Sequence, residues 1–249
     1  MNAFITTDLQ QMRIDLAASF RWSARLGLNE GVCNHFSLAT DATGERFLIN
    51  PYRLHWSEIR ASDLLLIDVE GHVIEPEGAA APEPTAYFIH AWLHRKVPHA
   101  RCIMHTHMPN ATALTSIENG RLEPCNQVGL RFFDRIAYDD NYGGVALDDA
   151  EGERIAGAMG NRDIMFMAHH GVTITGNNVG LAFDRLYYLE RACQNQVLAM
   201  STGRPLRLLS DEQARAAAQQ IAGEEAESAE AHFSALKRIL DREAPEYRH

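Results

Sequence analysis

Two histidines one residue apart, His105 and His107, close the run ARCIMHTH, and a second pair, His169 and His170, closes IMFMAHH just before Gly171. Successive side chains of a strand point to opposite faces, so His105 and His107 project to one side with their Cα atoms about 7 Å apart. Both rings can then reach a single ion. Pro109 suits the first turn of a helix, which ends the strand at a sheet rim, where ligands commonly sit. Taken alone, His-x-His reads more readily as hydrogen-bonded polarity near a surface than as a metal site. His170 is placed to complete a set of three, with His169 turned to the opposite face if the strand continues that far. Three imidazoles suit Zn²⁺, with Mn²⁺ and Fe²⁺ as alternatives, and leave positions open for substrate. Because such ligands are neutral, the ion keeps its double charge and favours a small anionic, chelating substrate such as an enediolate or a hydroxy acid.

The elements that must position these rings follow from patterning. Apolar residues at helical spacing from Asp8 to Leu26 predict one amphipathic helix, with Thr7 as its cap. The short segments HFSLAT, RFLINP, DLLLID and HVIEP, split by Gly, Asp and Pro, read as strands joined by hairpins. Pro84 opens a helix through TAYFIHAWLHRKV and Pro98 ends it before ARCIMHTH returns to strand. ATALTSI reads as helix, RFFDRIAYDD as strand, AEGERIAGAM as a short helix, IMFMAHHGVTITG as one strand, and Val179 to Ser201 as a long helix. This order predicts a three-layer α/β/α domain over residues 1–209 with a central mixed, largely antiparallel sheet. Residues 210–249, rich in Ala, Glu and Gln, read as a helical extension with a thin apolar stripe, either exposed or packed on a neighbouring subunit.

Bulk properties narrow the function. With 249 residues and 46% hydrophobic content the chain can bury one large core. A formal charge of −10 works against nucleic acid, whose binding rests on clustered Lys and Arg. No apolar run is long enough to span a membrane, and the start lacks a secretion signal, so a cytoplasmic location is expected. Cys33, Cys102, Cys125 and Cys193 form no C-x-x-C pair and read as reduced thiols packed as small apolar groups.

The segments GVCNHFSLAT, RFLINP, ARCIMHTHMPNATAL, NYGG and AHHGVTITGNNVGLAFDRLYYLERACQ stand in the order of the class II aldolase/adducin family, which the sequence resembles over nearly its whole length. The resemblance implies an α/β/α fold, a homotetramer with active sites at subunit interfaces, and a divalent metal on His105, His107 and His170. It also implies a phosphate pocket in the family's aldolases, whose first part matches here at Gly31, Asn34 and Ser37.

Two departures separate the chain from the sugar-phosphate aldolases. Their catalytic glutamate falls here on Ala86, and the nearest carboxylate is Glu83, which serves either as base or as the cap of the helix that Pro84 opens. In this respect the chain stands closer to adducin-like members. The second part of the phosphate pocket reads NPYRLHWSEI, where Tyr52, Arg53, His55 and Trp56 are too bulky for an open backbone cradle. Either they line a pocket for a larger carboxylated substrate, with Arg53 forming a bidentate pair, or they are a packed turn. His35 and Tyr142 complete the catalytic candidates, as acid or base and as proton donor. The remaining histidines, among them His90 and His94, read as solvated or capping.

The expected activity is that of a metal-dependent lyase, cleaving a C–C bond of a non-phosphorylated hydroxy or keto acid by decarboxylation or retro-aldol chemistry through an enediolate. An Fe²⁺-dependent oxidative decarboxylase and a non-catalytic, adducin-like binding protein are the rivals.

Overall fold

The computed structural model describes residues 2–249, with side chains from residue 9 onward. In chain order the elements are α1 (Asn2–Arg25), β1 (His35–Ala39), β2 (Arg46–Ile49), β3 (Leu65–Asp68), β4 (Val73–Glu75), α2 (Pro84–Lys96), β5 (Cys102–Thr106), α3 (Pro109–Thr115) and α4 (Gln127–Leu130). There follow β6 (Ile136–Asp139), α5 (Asp149–Met159), β7 (Ile164–Met167), β8 (Gly171–Gly176), α6 (Val179–Met200), α7 (Asp211–Ala222) and α8 (Glu225–Glu243). The strands form one eight-stranded sheet in the order β4-β3-β2-β1-β5-β8-β7-β6. Every pairing is antiparallel except β6 with β7. The mixed, largely antiparallel sheet expected from the sequence is therefore present, and among the described residues no helix is long and apolar enough to cross a membrane.

Strand alternation divides the core into two layers. Phe36, Leu38, Leu48, Leu66, Met104 and Phe166 face a layer built on α1, α3, α6 and α8. Their neighbours Phe47, Ile49, Leu65, Ile67, Ile103, Met165 and Met167 face α2 and α5. By the same period of two, His35, Ser37, His105 and Thr173 lie on the α2 side of the sheet. An apolar layer of ordinary aliphatic residues is thus interrupted, next to α2, by a patch of buried polar ones.

Four expectations change at the level of elements. Helix α1 runs from Asn2, upstream of Thr7, whose side chain lies outside the described residues. RFFDRIAYDD is strand only over Ile136–Asp139, because Asn126 caps the short helix α4 and the chain then turns back through Asp134 at φ 59°. IMFMAHHGVTITG is two antiparallel strands, β7 and β8, reversed at Ala168–His170 with His169 at φ 60°. The tail forms two helices that break near Gly223 and pack on their own chain. Phe233, Leu240 and Tyr247 are buried in the core, and the Trp22 indole donates to the Leu236 carbonyl at 3.0 Å.

Candidate metal centre

The reversal between β7 and β8 brings the third histidine to the other two. His105 lies on β5 opposite Thr173 of β8 and His35 of β1, His107 follows the strand end, and His170 sits in the turn. The three ring centroids are 5.1 Å (His105 to His107), 4.8 Å (His105 to His170) and 4.8 Å (His107 to His170) apart. One nitrogen from each ring lies within 4.8 Å of the others. Gly171 makes this approach feasible: a Cβ there would meet the Thr106 carbonyl oxygen at 2.6 Å and the His107 ring at 2.7 Å.

Hydrogen bonds on the far side of two rings select the nitrogens that face inward. His105 Nδ1 donates to the Val172 carbonyl at 3.1 Å, with Thr173 Oγ1 at 3.3 Å. His107 Nδ1 donates to Glu30 Oε2 at 2.5 Å. His107 Nε2 is then a buried nitrogen without a hydrogen-bond partner. Such an orphan costs free energy unless something binds it. A carboxylate behind the ring is also the usual support of a metal-ligating histidine, since it fixes the tautomer and raises basicity. Asn34 sets this up from the left-handed region, φ 72°, where its Oδ1 accepts from the backbone amides of Glu30 at 3.2 Å and His107 at 3.4 Å. Burial first, and then repulsion from neighbouring imidazoles, holds His105 well below its ordinary value and His170 at about 4. Both rings are therefore neutral at physiological pH, as ligation requires.

The triad opens into a cavity of about 580 Å³ that is also lined by Asn34, His35, Tyr52, Glu83, Ala86 and Tyr142. Ala86, where the sequence departs from the sugar-phosphate aldolases, presents its methyl group to this cavity. Glu83 borders the cavity but caps α2: its Oε2 accepts from Ala86 N at 2.9 Å and from the Thr85 hydroxyl. Tyr142 stands at the rim, 54% exposed.

Other sequence-derived assignments do not fit this geometry. Ser37 is fully buried with its hydroxyl between His90 and His94, so it offers nothing to a substrate. Gly31 lies on the exposed loop and does not line the cavity. Arg53 adopts φ 71°, stacks over Tyr52 and borders a separate hollow. Trp56 is buried against Phe20 and Phe36. Conversely, His90 and His94, read as solvated or capping, are buried on α2, and Cys33 is exposed at the cavity wall. Sequence reasoning also passed over Glu30, because nothing local links it to a histidine 77 positions away.

Comparison with known proteins agrees with this architecture. Residues 14–197 match the class II aldolase and adducin N-terminal domain family. The chain belongs to this family. A Caulobacter vibrioides protein named for its likeness to class 2 aldolases is 35% identical over 205 residues, covering 82% of this chain and 79% of that one. Mouse alpha-adducin is 30% identical over 201 residues, 80% of this chain but 27% of the longer adducin. An aldolase II superfamily protein from Pseudomonas syringae superposes with a TM-score of 0.89 at 30% identity, covering 96% of both chains. As a class II aldolase/adducin family member, the chain carries a histidine triad able to hold a divalent metal, on a fold whose aldolases are typically metal-dependent lyases.

Proposed function

We propose that this chain is a divalent-metal-dependent lyase that breaks a C–C bond of a small, non-phosphorylated hydroxy or keto acid, by decarboxylation or retro-aldol cleavage. The observation that carries the reading is the buried, unpartnered Nε2 of His107, held in place by Glu30 and converging with His105 and His170. An ion held there, Zn²⁺ in the first instance, would supply Lewis-acid stabilisation of the charge left on the substrate oxygens.

The chain's own groups supply the rest. Asn34 and His35 flank the triad inside the cavity and orient the substrate; the Ala86 methyl gives part of the wall no base. Decarboxylation asks less of a protein base than aldol cleavage, so the missing carboxylate favours it. Glu83, with one oxygen committed to capping, is the base on the aldol route, and the exposed Tyr142 phenol is the group that delivers a proton to the carbon released. Val145 and Leu147, 64% and 61% exposed close to Tyr142 in the chain, support a homotetramer whose sites are completed at subunit contacts. The unpaired cysteines fit a cytoplasmic, reducing compartment.

Release of CO₂ or aldehyde from a panel of hydroxy and keto acids, with and without added Zn²⁺ or Mn²⁺, tests the activity. Metal-stimulated turnover is expected, and no turnover by a metal-loaded protein across the panel contradicts it. The relation to alpha-adducin favours a second reading, a non-catalytic binding protein, which predicts a chain that takes up no divalent ion.

A further inference from the structure

Beneath the triad four buried side chains form an unbroken line of hydrogen bonds from the sheet into α2. His35 Nδ1 meets His90 Nε2 at 2.7 Å, His90 Nδ1 meets the Ser37 hydroxyl, Ser37 Oγ meets His94 Nε2 at 2.7 Å, and His94 Nδ1 meets the Ala100 carbonyl oxygen at 2.8 Å. His90 and Ser37 are fully buried, and His94 and His35 are 6% and 7% exposed. At its upper end His35 stacks on its cross-strand neighbour His105, with centroids 4.8 Å apart, and lines the cavity.

The far end of this line fixes its direction. A carbonyl oxygen only accepts, so His94 carries its proton on Nδ1 and its Nε2 is an acceptor. The single Ser37 hydroxyl proton must go to that nitrogen, leaving Ser37 Oγ to accept from His90. His90 therefore carries its proton on Nδ1 as well, and its Nε2 accepts from His35 Nδ1. The reverse arrangement would set a bare His94 nitrogen against the Ala100 oxygen, acceptor against acceptor. A cation on one of the inner rings would also break the order, but both rings are buried, and no carboxylate hydrogen-bonds to the chain among the described residues. Burial accordingly holds His90 well below its ordinary value and His94 at about 4.

We propose that Ser37, His90 and His94 are positioning residues that lock His35 with its proton on Nδ1, so that His35 Nε2 meets a ligand as a hydrogen-bond acceptor only. The site then selects a substrate that carries a hydroxyl beside its carboxylate and disfavours the corresponding keto acid, whose carbonyl oxygen would face a bare nitrogen. This selectivity rests on the metal-held chelating substrate proposed above; the locked tautomer does not.

Two measurements test it. In the first, long-range ¹H–¹⁵N correlation on metal-free protein labelled with ¹⁵N-histidine reads the tautomers directly at pH 7. Nδ1–H is expected for His35, His90 and His94, against the Nε2–H form that free imidazoles prefer, and an Nε2–H form at His35 overturns the proposal. In the second, lactate and pyruvate are titrated calorimetrically into Zn²⁺-loaded protein. Lactate is expected to bind about tenfold more tightly, with the preference lost in a Ser37→Ala variant that still melts cooperatively. Equal affinity in the native protein, or a preference that survives Ser37→Ala, overturns the selectivity. A chain that takes up no Zn²⁺ fails the metal-centre reading and the selectivity with it, while the spectrum of the metal-free protein still decides the tautomer.

Discussion

Glu30 Oε2 lies 2.5 Å from His107 Nδ1, while the opposite nitrogen of the same ring is buried and has no hydrogen-bond partner. The pair turns an ordinary surface carboxylate, 63% exposed, into the group that orients a ring toward the centre of the triad. Removing the carboxylate leaves the three rings in place but frees His107 to rotate. Glu30→Ala is expected to weaken Zn²⁺ binding about 10- to 100-fold, read by competition with a chromogenic chelator. Unchanged affinity would mean that the contact orients nothing.

Gly171 is the place where the sheet and the triad make conflicting demands. A methyl group there would sit 2.6 Å from the Thr106 oxygen and 2.7 Å from the His107 ring. The Thr106 oxygen is backbone and cannot turn aside, so β8 must shift away from β5. Gly171→Ala is expected to destabilise the fold by about 1–3 kcal/mol and to weaken metal binding along with it. A variant with native melting and native metal affinity would contradict the packing.

The buried His94 links stability to pH. Burial lowers its imidazole from 6.5 to about 4, while an unfolded chain takes up the proton near 6.5. The unfolded state therefore binds more protons between these values. The contribution is present in full above pH 6.5, falls as pH drops toward 4, and amounts to about 3 kcal/mol across the window. Melting followed from pH 7 to 4 should show this decline, and His94→Gln should make it shallower, with the buried His90, His105 and His170 supplying the remaining slope. An equal slope in the variant would place the linkage elsewhere.

Sugar phosphates should be poor substrates. Ser37 is locked between two histidines, Gly31 does not line the cavity, and Tyr52 occupies part of its wall. Coupled assays with fuculose 1-phosphate and ribulose phosphate are expected to give no turnover at ordinary enzyme rates, and such turnover would refute this view of the pocket.

The sheet was readable because alternation in HFSLAT, RFLINP and DLLLID is local, and local patterning survives tertiary packing in antiparallel hairpins. His105 and His107 were readable for the same reason. The break between β7 and β8 was hidden, because both sides of it are apolar and only a positive φ at His169 marks the reversal. His90 and His94, one helical turn apart on α2, carry no local sign that they are buried; that depends on Ser37 and His35 arriving from a strand more than fifty residues earlier. The extension is helical, yet Phe233, Leu240 and Tyr247 sit too far apart in sequence to announce that they complete the core.

Elemental analysis of protein purified under chelator-free, anaerobic conditions, for the native chain and for His107→Ala, bears most directly on the triad. One zinc, manganese or iron per native chain and a near-complete loss in the variant is the expected result, with iron pointing to the oxidative reading of the same site. Stoichiometric, tightly held metal in His107→Ala, or none in the native chain, would contradict the assignment of these three histidines to one ion.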